Sequence, residues 1–175
     1  MTRHFGESLF MASHLFPLSV KNSHPGKNLH SGVSGPTASP RVIDIGSGAG
    51  FPGLPLKLWC PQIHLILIES NQKKVAFLRE TARALTFTNI DVIPSRAELV
   101  VRTPNFPKAD VVTLRAVEHF ELILAEATKF LATEGRVAAL IGSAQLPNLP
   151  TDLRWCPPIP VPNSQTRVLS LGILE

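Results

Sequence analysis

The sequence predicts an α/β fold in which a mostly parallel sheet of six or seven strands is flanked by helices, and three observations carry that expectation. From Arg41 onward, short β-branched runs alternate with stretches of helical periodicity, the order of strands and crossover helices that a parallel sheet requires. The first run, Val42-Ile43-Asp44-Ile45, leads directly into a glycine-rich turn, Gly46-Ser47-Gly48-Ala49-Gly50. With 175 residues and 44% hydrophobic content, the chain can bury the core of one medium-sized domain but hardly two.

Residues 1–40 are expected to form a short helical segment and an irregular linker, and residues 41–175 the domain proper. Residues 8–16 can form about two helical turns with Leu9, Phe10, Ala12 and Phe16 on the apolar side. Residues 20–40 are rich in Ser, Asn, His, Gly and Pro and read as an irregular connection. After the first strand and the glycine turn, a helix near residues 53–59 leads to a second strand over 63–68. A longer helix follows over 72–85, where Val75, Leu78, Ala82 and Leu85 recur at helical spacing.

Ile90-Asp91-Val92-Ile93 reads as strand three, and Ser95-Arg96-Ala97-Glu98 opens a short helix before strand four over 109–114. A helix over 121–131 offers Leu122, Ala125 and Phe130 to the core, and Gly135 is expected to end that element ahead of a fifth strand over 136–141. Pro147, Pro150, Pro157, Pro158, Pro160 and Pro162 exclude a regular helix or a central strand from the tail, and residues 167–173 supply a last strand.

The formal charge of +4, from 17 Lys and Arg against 13 Asp and Glu, suits an anionic partner, nucleic acid before membrane. Cys60 and Cys156 match no metal spacing, and the six histidines are scattered, so no metal site is expected. The longest apolar run, Leu65-Ile66-Leu67-Ile68, is too short to span a bilayer, and the start of the chain lacks a continuous hydrophobic segment with a cleavage site. These features read as a soluble, cytoplasmic protein and a monomer.

The chemistry concentrates at the glycine turn. Glycine has no Cβ, so a turn of this composition lets backbone amides approach a nucleotide-like ligand in a Rossmann-like fold. Glu69 closes the second strand, 19 residues beyond Gly50, where a carboxylate can accept from both hydroxyls of an adenosine ribose. Two ligands remain open on this pattern. Gly48-Ala49-Gly50-Phe51-Pro52-Gly53 satisfies the G-x-G-x-x-G of a nicotinamide dinucleotide site, and would make the chain an oxidoreductase. Against that, Asp44 at the end of the first strand would repel a pyrophosphate, while Phe51-Pro52 and Pro55 intrude on the helix start. Those features favour S-adenosylmethionine.

Four ordered blocks then resemble the RsmG (GidB) family, which methylates ring position seven of a guanine in small-subunit ribosomal RNA. They are Asp44-Ile-Gly-Ser-Gly-Ala-Gly-Phe-Pro-Gly-Leu-Pro-Leu56, Ile68-Glu-Ser-Asn-Gln-Lys-Lys-Val-Ala-Phe-Leu78, Ser95-Arg-Ala-Glu98 and Leu114-Arg-Ala-Val117. Arg3-His4 with Ser8-Leu9 is similar to the family's segment before the sheet. The resemblance implies a methyltransferase fold, S-adenosylmethionine as cofactor, and ribosomal RNA or the small ribosomal subunit as partner. It implies that the turn of Gly46, Ser47, Gly48, Gly50 and Phe51 holds the donor, that Glu69 holds its ribose, and that Ala97 and Glu98 lie along the adenine. Arg115 would sit where donor and RNA base meet.

Each role has a plainer counterpart. Arg115 could pair with Glu118 at the surface, and Glu98 could be a first-turn carboxylate favoured by the helix dipole. Lys73, Lys74, Arg79 and Arg83 could touch phosphates or form a solvated helix face. Trp59 and Trp155 read as packing residues. Methylation at guanine position seven uses an in-plane lone pair that carries no proton, so no general base is required. Positioning within about 3 Å of the methyl carbon is the contribution left to the protein, and Arg115 would orient the base. Family members carry a longer helical segment before the sheet, a lysine where this chain has Ile141 before Gly142, and a charged ending in place of the proline-rich tail. The chain therefore reads as a shortened or divergent member, and a degenerate one that binds the donor without turnover stays open.

Overall fold

A computed structural model describes residues 2–17, 39–116 and 119–174. Helix α1 (Thr2–Leu15) precedes strand β1 (Arg41–Ile45), helix α2 (Gly53–Trp59), strand β2 (His64–Ile68), helix α3 (Gln72–Ala84) and strand β3 (Ile90–Ile93). Helix α4 (Ala97–Val100), strand β4 (Ala109–Arg115), helix α5 (Phe120–Thr128) and strand β5 (Leu131–Gly142) follow. A 3₁₀ turn over Ser143–Asn148 leads to the short strands β6 (Arg154–Trp155) and β7 (Ile159–Pro160), and β8 (Arg167–Ile173) ends the sheet. The connection expected over 20–40 lies, apart from its last two residues, outside the described residues.

The sheet runs β3-β2-β1-β4-β5-β8-β6, with β7 pairing to β8. Strands β1 to β5 are mutually parallel, while β8 is antiparallel to β5, β6 and β7. Strand order reverses between β1 and β4, and the two chains of crossovers leave that point in opposite directions. In an open α/β sheet this is where a crevice forms beyond the carboxyl ends of the strands.

Side chains alternate across the sheet and are buried on both faces, which is why the strands read as unbroken apolar runs. Ile43, Ile45, Ile66, Ile68, Val112 and Leu114 pack towards α4 and α5, with Leu124 and Phe130. Val42, Leu65, Leu67, Ala138 and Leu140 face the other way, towards α1, α2 and α3, with Met11, Leu56 and Leu78. Phe106 and Phe130 meet edge to face at 5.6 Å on the first side.

Several boundaries differ from the sequence expectation for local reasons. Helix α1 begins at Thr2 rather than Ser8, because its first two turns turn polar side chains inward, and apolar periodicity does not register them. In α3, Val75, Leu78 and Ala82 are buried, but Leu85 falls just past the helix and is 42% exposed. In α5 the buried stripe is Phe120, Leu124 and Ala127, so Leu122, half a turn away, is 69% exposed and Ala125 is exposed with it.

Gly135 does not end α5; it lies inside β5, whose pairing with β4 shifts from Ala109↔Leu131 to Val111↔Arg136. A Cβ at Gly135 would stand 2.8 Å from the Ala132 carbonyl oxygen, so the bulge there requires glycine. The proline-rich tail does contribute strands, two residues each and at the margin of the sheet, where missing amide donors are tolerated.

Lys57 is the largest polar side chain in the interior, at 2% exposure. Its ammonium donates to the carbonyls of Pro61 (2.7 Å), Ile63 (2.5 Å) and Asn89 (3.5 Å), tying α2 to the starts of β2 and β3. Burial lowers its pKa from the ordinary lysine range. Trp59 and Trp155 also pack and donate, to the carbonyls of Phe16 and Pro150.

Candidate active site

The chain leaves β1 at Ile45 and turns through Gly46, Gly48 and Gly50, whose φ angles are 69°, 57° and 89°. Three left-handed residues in five would be strained with side chains, and glycine removes that strain. Contact reinforces it at Gly50, where a Cβ would lie 2.3 Å from Leu54 Cδ1. The Phe51-Pro52 peptide bond is cis, and α2 starts at Gly53, where a Cβ would meet Leu67 at 2.5 Å and Asp44 Oδ2 at 2.8 Å.

Asp44 braces this turn from beneath. It is 1% exposed; Oδ1 accepts from the Thr113 hydroxyl at 2.7 Å and Oδ2 from the Gly53 amide at 3.2 Å. Its backbone carbonyl accepts from the Ser47 hydroxyl at 2.9 Å. Burial pushes the carboxyl up to about 6, against the lowering effect of hydrogen bonds from Thr113, Ser47 and Gly53. The carboxylate thus joins β1, β4 and the start of α2, and its polar partners are protein groups.

Glu69 stands at the end of β2, 7% exposed. Its Oε2 accepts from the Gly48 amide at 2.9 Å and its Oε1 from the Asn71 amide at 2.8 Å. Asn71 in turn caps α3, its Oδ1 accepting from the amides of Lys73 (3.0 Å) and Lys74 (3.2 Å). A carboxylate has about four acceptor positions, so Glu69 keeps capacity for two further donors.

These groups open onto a cleft of 480 Å³ beyond the carboxyl ends of β1, β2 and β4. Gly46 and Glu69 form one wall, Ala97 and Glu98 at the start of α4 another, and Ile45, Ile68 and Ile123 give it apolar surface. Of the residues singled out in the sequence, Gly46, Glu69, Ala97 and Glu98 line the cleft. Ser47, Gly48 and Gly50 build the turn behind it. Phe51 is half-buried with its ring 6.1 Å from that of His4.

Arg115 points elsewhere. Its side chain is 10% exposed and reaches α1, donating to Glu7 Oε2 from Nη2 at 3.1 Å and from Nε at 3.4 Å, and it also contacts the His4 ring. Glu118, the alternative partner considered for it, lies outside the described residues. Sequence reasoning does not single out Asn71, Ser95 or His119, all of which line the cleft, and of the four basic residues considered on α3 only Lys74 lines it. Asn71 carried a signal, as a helix-capping side chain ahead of Gln-Lys-Lys-Val. His119, held in a left-handed conformation (φ 51°) before α5, carried none. Lys73, Arg79 and Arg83 lie on the exposed face of α3, where Arg79 donates to the Val92 carbonyl and Arg83 pairs with Glu80.

Across Ala116 from the cleft is a second hollow of 290 Å³, bordered by Gly142, Gln145, Thr166 and Arg167. Among the described residues, no group of three His, Cys, Asp or Glu is placed to hold a metal ion, and no helix is long and apolar enough to cross a membrane.

A family model described as GidB, rRNA small subunit methyltransferase G, matches residues 30–156. The chain belongs to the GidB family. A relative named ribosomal RNA small subunit methyltransferase G, from Roseiflexus castenholzii, is 45% identical over 105 residues, covering 59% of this chain and 45% of its own. One of the same name from Chloroflexus aggregans is 36% identical over 144 residues, covering 76% and 60%. The chain spans about half the length of the curated GidB relatives it matches. Among solved structures, a P. horikoshii TYW2 in complex with MeSAdo aligns with a TM-score of 0.61 at 15% identity, over 78% of this chain and 58% of that one. This likeness establishes the fold alone, a mostly parallel α/β sheet with helices on both faces.

Proposed function

We propose that this chain binds S-adenosylmethionine in the 480 Å³ cleft and transfers its methyl group to ring position seven of a guanine in small-subunit ribosomal RNA. The observation that carries the reading is Glu69, a nearly buried carboxylate that faces the cleft while bound to the glycine turn, with acceptor positions left for two ribose hydroxyls. The residues fit the donor in a second respect. Gly46 leaves the floor of the cleft free of side chain beside Ile45 and Ile68, so an adenosine can lie against backbone and apolar surface, with Ala97 and Glu98 along the adenine. Bound there, the donor supplies an electrophilic methyl carbon.

The chain's own residues then have limited chemistry to perform. Position seven of guanine presents a lone pair without a proton, so neither a general base nor a metal is called for. Ile45, Ile68 and Ile123 exclude water, and Arg115, whose guanidinium is held by Glu7 next to the cleft residue Ala116, is the residue family resemblance implies for orienting the RNA base. The hollow by Gly142, Gln145 and Arg167 is the side from which a base would approach. A flipped or unpaired guanine suits it better than one in a helix, because the target atom must leave the stack. The net charge of +4 favours an RNA partner, and a ribosomal RNA substrate fits a cytoplasmic protein.

The dinucleotide reading is not favoured, since Asp44 fills the space beneath the turn and family membership points to methyl transfer. Calorimetric titration with S-adenosylhomocysteine and with NAD separates the two: binding of NAD alone would overturn the proposal. Transfer of tritiated methyl to naked RNA, small subunits and whole ribosomes then distinguishes an enzyme from a donor-binding protein without turnover.

A further inference from the structure

Glu7 is 4% exposed and sits where α1 meets the carboxyl edge of the sheet. Its carboxylate gathers guanidinium groups from three parts of the chain. Oε1 accepts from Arg3 Nε at 3.1 Å, while Oε2 accepts from Arg115 Nη2 at 3.1 Å and Arg167 Nη1 at 3.3 Å. Arg115 ends β4 and Arg167 begins β8, so Glu7 fixes two arginines that lie 108 and 160 residues away in sequence.

A structural role alone would not require this composition. One arginine neutralises one buried carboxylate, and Arg115, at 10% side-chain exposure, already does so; Arg167 at 28% and Arg3 at 62% are further cations beyond that need. Here three guanidinium charges surround one carboxylate, and the two more exposed ones, Arg167 and Arg3, each border a hollow. Arg167 borders the 290 Å³ hollow with Gly142 and Gln145, and Arg3 borders a 490 Å³ groove with Glu7. Burial by itself would raise the Glu7 carboxyl, but hydrogen bonds from Arg115 and Arg3 and the nearby charges outweigh it and hold the group below the ordinary range.

We propose that Glu7 is a positioning residue for the methyl transfer, holding Arg115 and Arg167 in fixed orientation at the substrate side of the cleft. The inference rests on the proposed RNA methylation, and it makes a prediction opposite in sign to simple electrostatics. Removing Glu7's charge leaves the cluster more positive, so RNA should bind as well or better. If orientation of the arginines is what matters, transfer should nevertheless fall.

The test compares wild type, Glu7→Gln and Glu7→Asp on in-vitro-transcribed small-subunit ribosomal RNA, with kcat, KM, RNA affinity by filter binding, S-adenosylhomocysteine affinity by calorimetry, and melting temperature. Glu7→Gln is expected to lose at least tenfold in kcat/KM while RNA affinity is unchanged or tighter and S-adenosylhomocysteine affinity stays within twofold. Glu7→Asp, which keeps the charge and withdraws it by one methylene, should fall between. Transfer by Glu7→Gln within threefold of wild type overturns the inference. So does a parallel loss of transfer, donor affinity and melting temperature, which marks a purely structural residue. If Glu7→Gln does not fold, Glu7→Asp decides: a threefold or greater loss at unchanged melting temperature supports the role, and full transfer rejects it. A wild type that binds RNA yet transfers no methyl overturns the proposed function itself.

Discussion

Two acidic side chains at the glycine turn have opposite relations to the cleft. Glu69 faces it with spare acceptor capacity, so Glu69→Ala should weaken S-adenosylhomocysteine binding by at least tenfold, read by calorimetry, while the fold persists. Asp44 is enclosed, and its raised pKa has a stability consequence. The folded state holds this proton up to about pH 6, whereas the unfolded chain releases it near 3.8. Between those values the folded state binds more protons, so stability contributed by Asp44 is full at low pH and declines as pH rises towards 6, by on the order of 3 kcal/mol. Glu7 acts in the opposite sense, since its lowered pKa gives stability that is lost as pH falls below about 4.5. Urea unfolding at intervals from pH 4 to 7 checks the sign: the decline towards pH 6 should disappear in Asp44→Asn and persist in Glu7→Asp. The sequence exposed Glu69 by its spacing from the turn. It could not reveal that Asp44 spends its oxygens on Thr113 and Gly53, because Thr113 is 69 residues away.

Helices differ in how openly their sequences declare them. The stripe of Val75, Leu78 and Ala82 marked α3 because its buried face is apolar and its other faces are charged. Helix α5 is apolar nearly all round, so periodicity does not fix its phase: the sequence suggests Leu122 among the core residues, whereas Leu124 is the buried one. Paired substitutions test the observed phase. Leu124→Ala should cost about 2–5 kcal/mol, while Leu122→Ala should stay within about 0.5 kcal/mol, both measured by denaturant unfolding. Helix α1 was half visible: Met11, Ala12 and Leu15 belong to the apolar core, but its first two turns are held by Glu7 and the arginines. Polar burial of that kind leaves no periodic trace. Met11→Ala should destabilise by about 2–5 kcal/mol, and a neutral result would mean that α1 does not depend on the sheet for its packing.

At the scale of the whole molecule, the parallel sheet and its flanking helices follow from the alternation of strands and helices, whereas the order β3-β2-β1-β4-β5-β8-β6 and the short strands β6 and β7 among the prolines are visible only in the structure. The glycine turn and Glu69 of the proposed donor site were legible because they lie at the ends of β1 and β2, while Ala97 and Glu98, which line the same cleft, were reached only through family resemblance. Of the cluster beside it, family resemblance pointed to Arg115, but Glu7 and Arg167 were not legible, because they meet Arg115 only through the folded sheet. Their surplus charge predicts that RNA affinity falls steeply with salt, by tenfold or more between about 50 and 200 mM, and a flat profile would count against this edge as the RNA face. Lys57 gives the fold a property of a different sort. An ammonium whose protons are all committed to carbonyls inside the molecule cannot meet an amine-reactive reagent until α2, β2 and β3 part company. Its acylation rate, followed by mass spectrometry beside that of exposed Lys73, should therefore count openings of the native protein directly, and ligand binding in the neighbouring turn should slow that clock without touching Lys73.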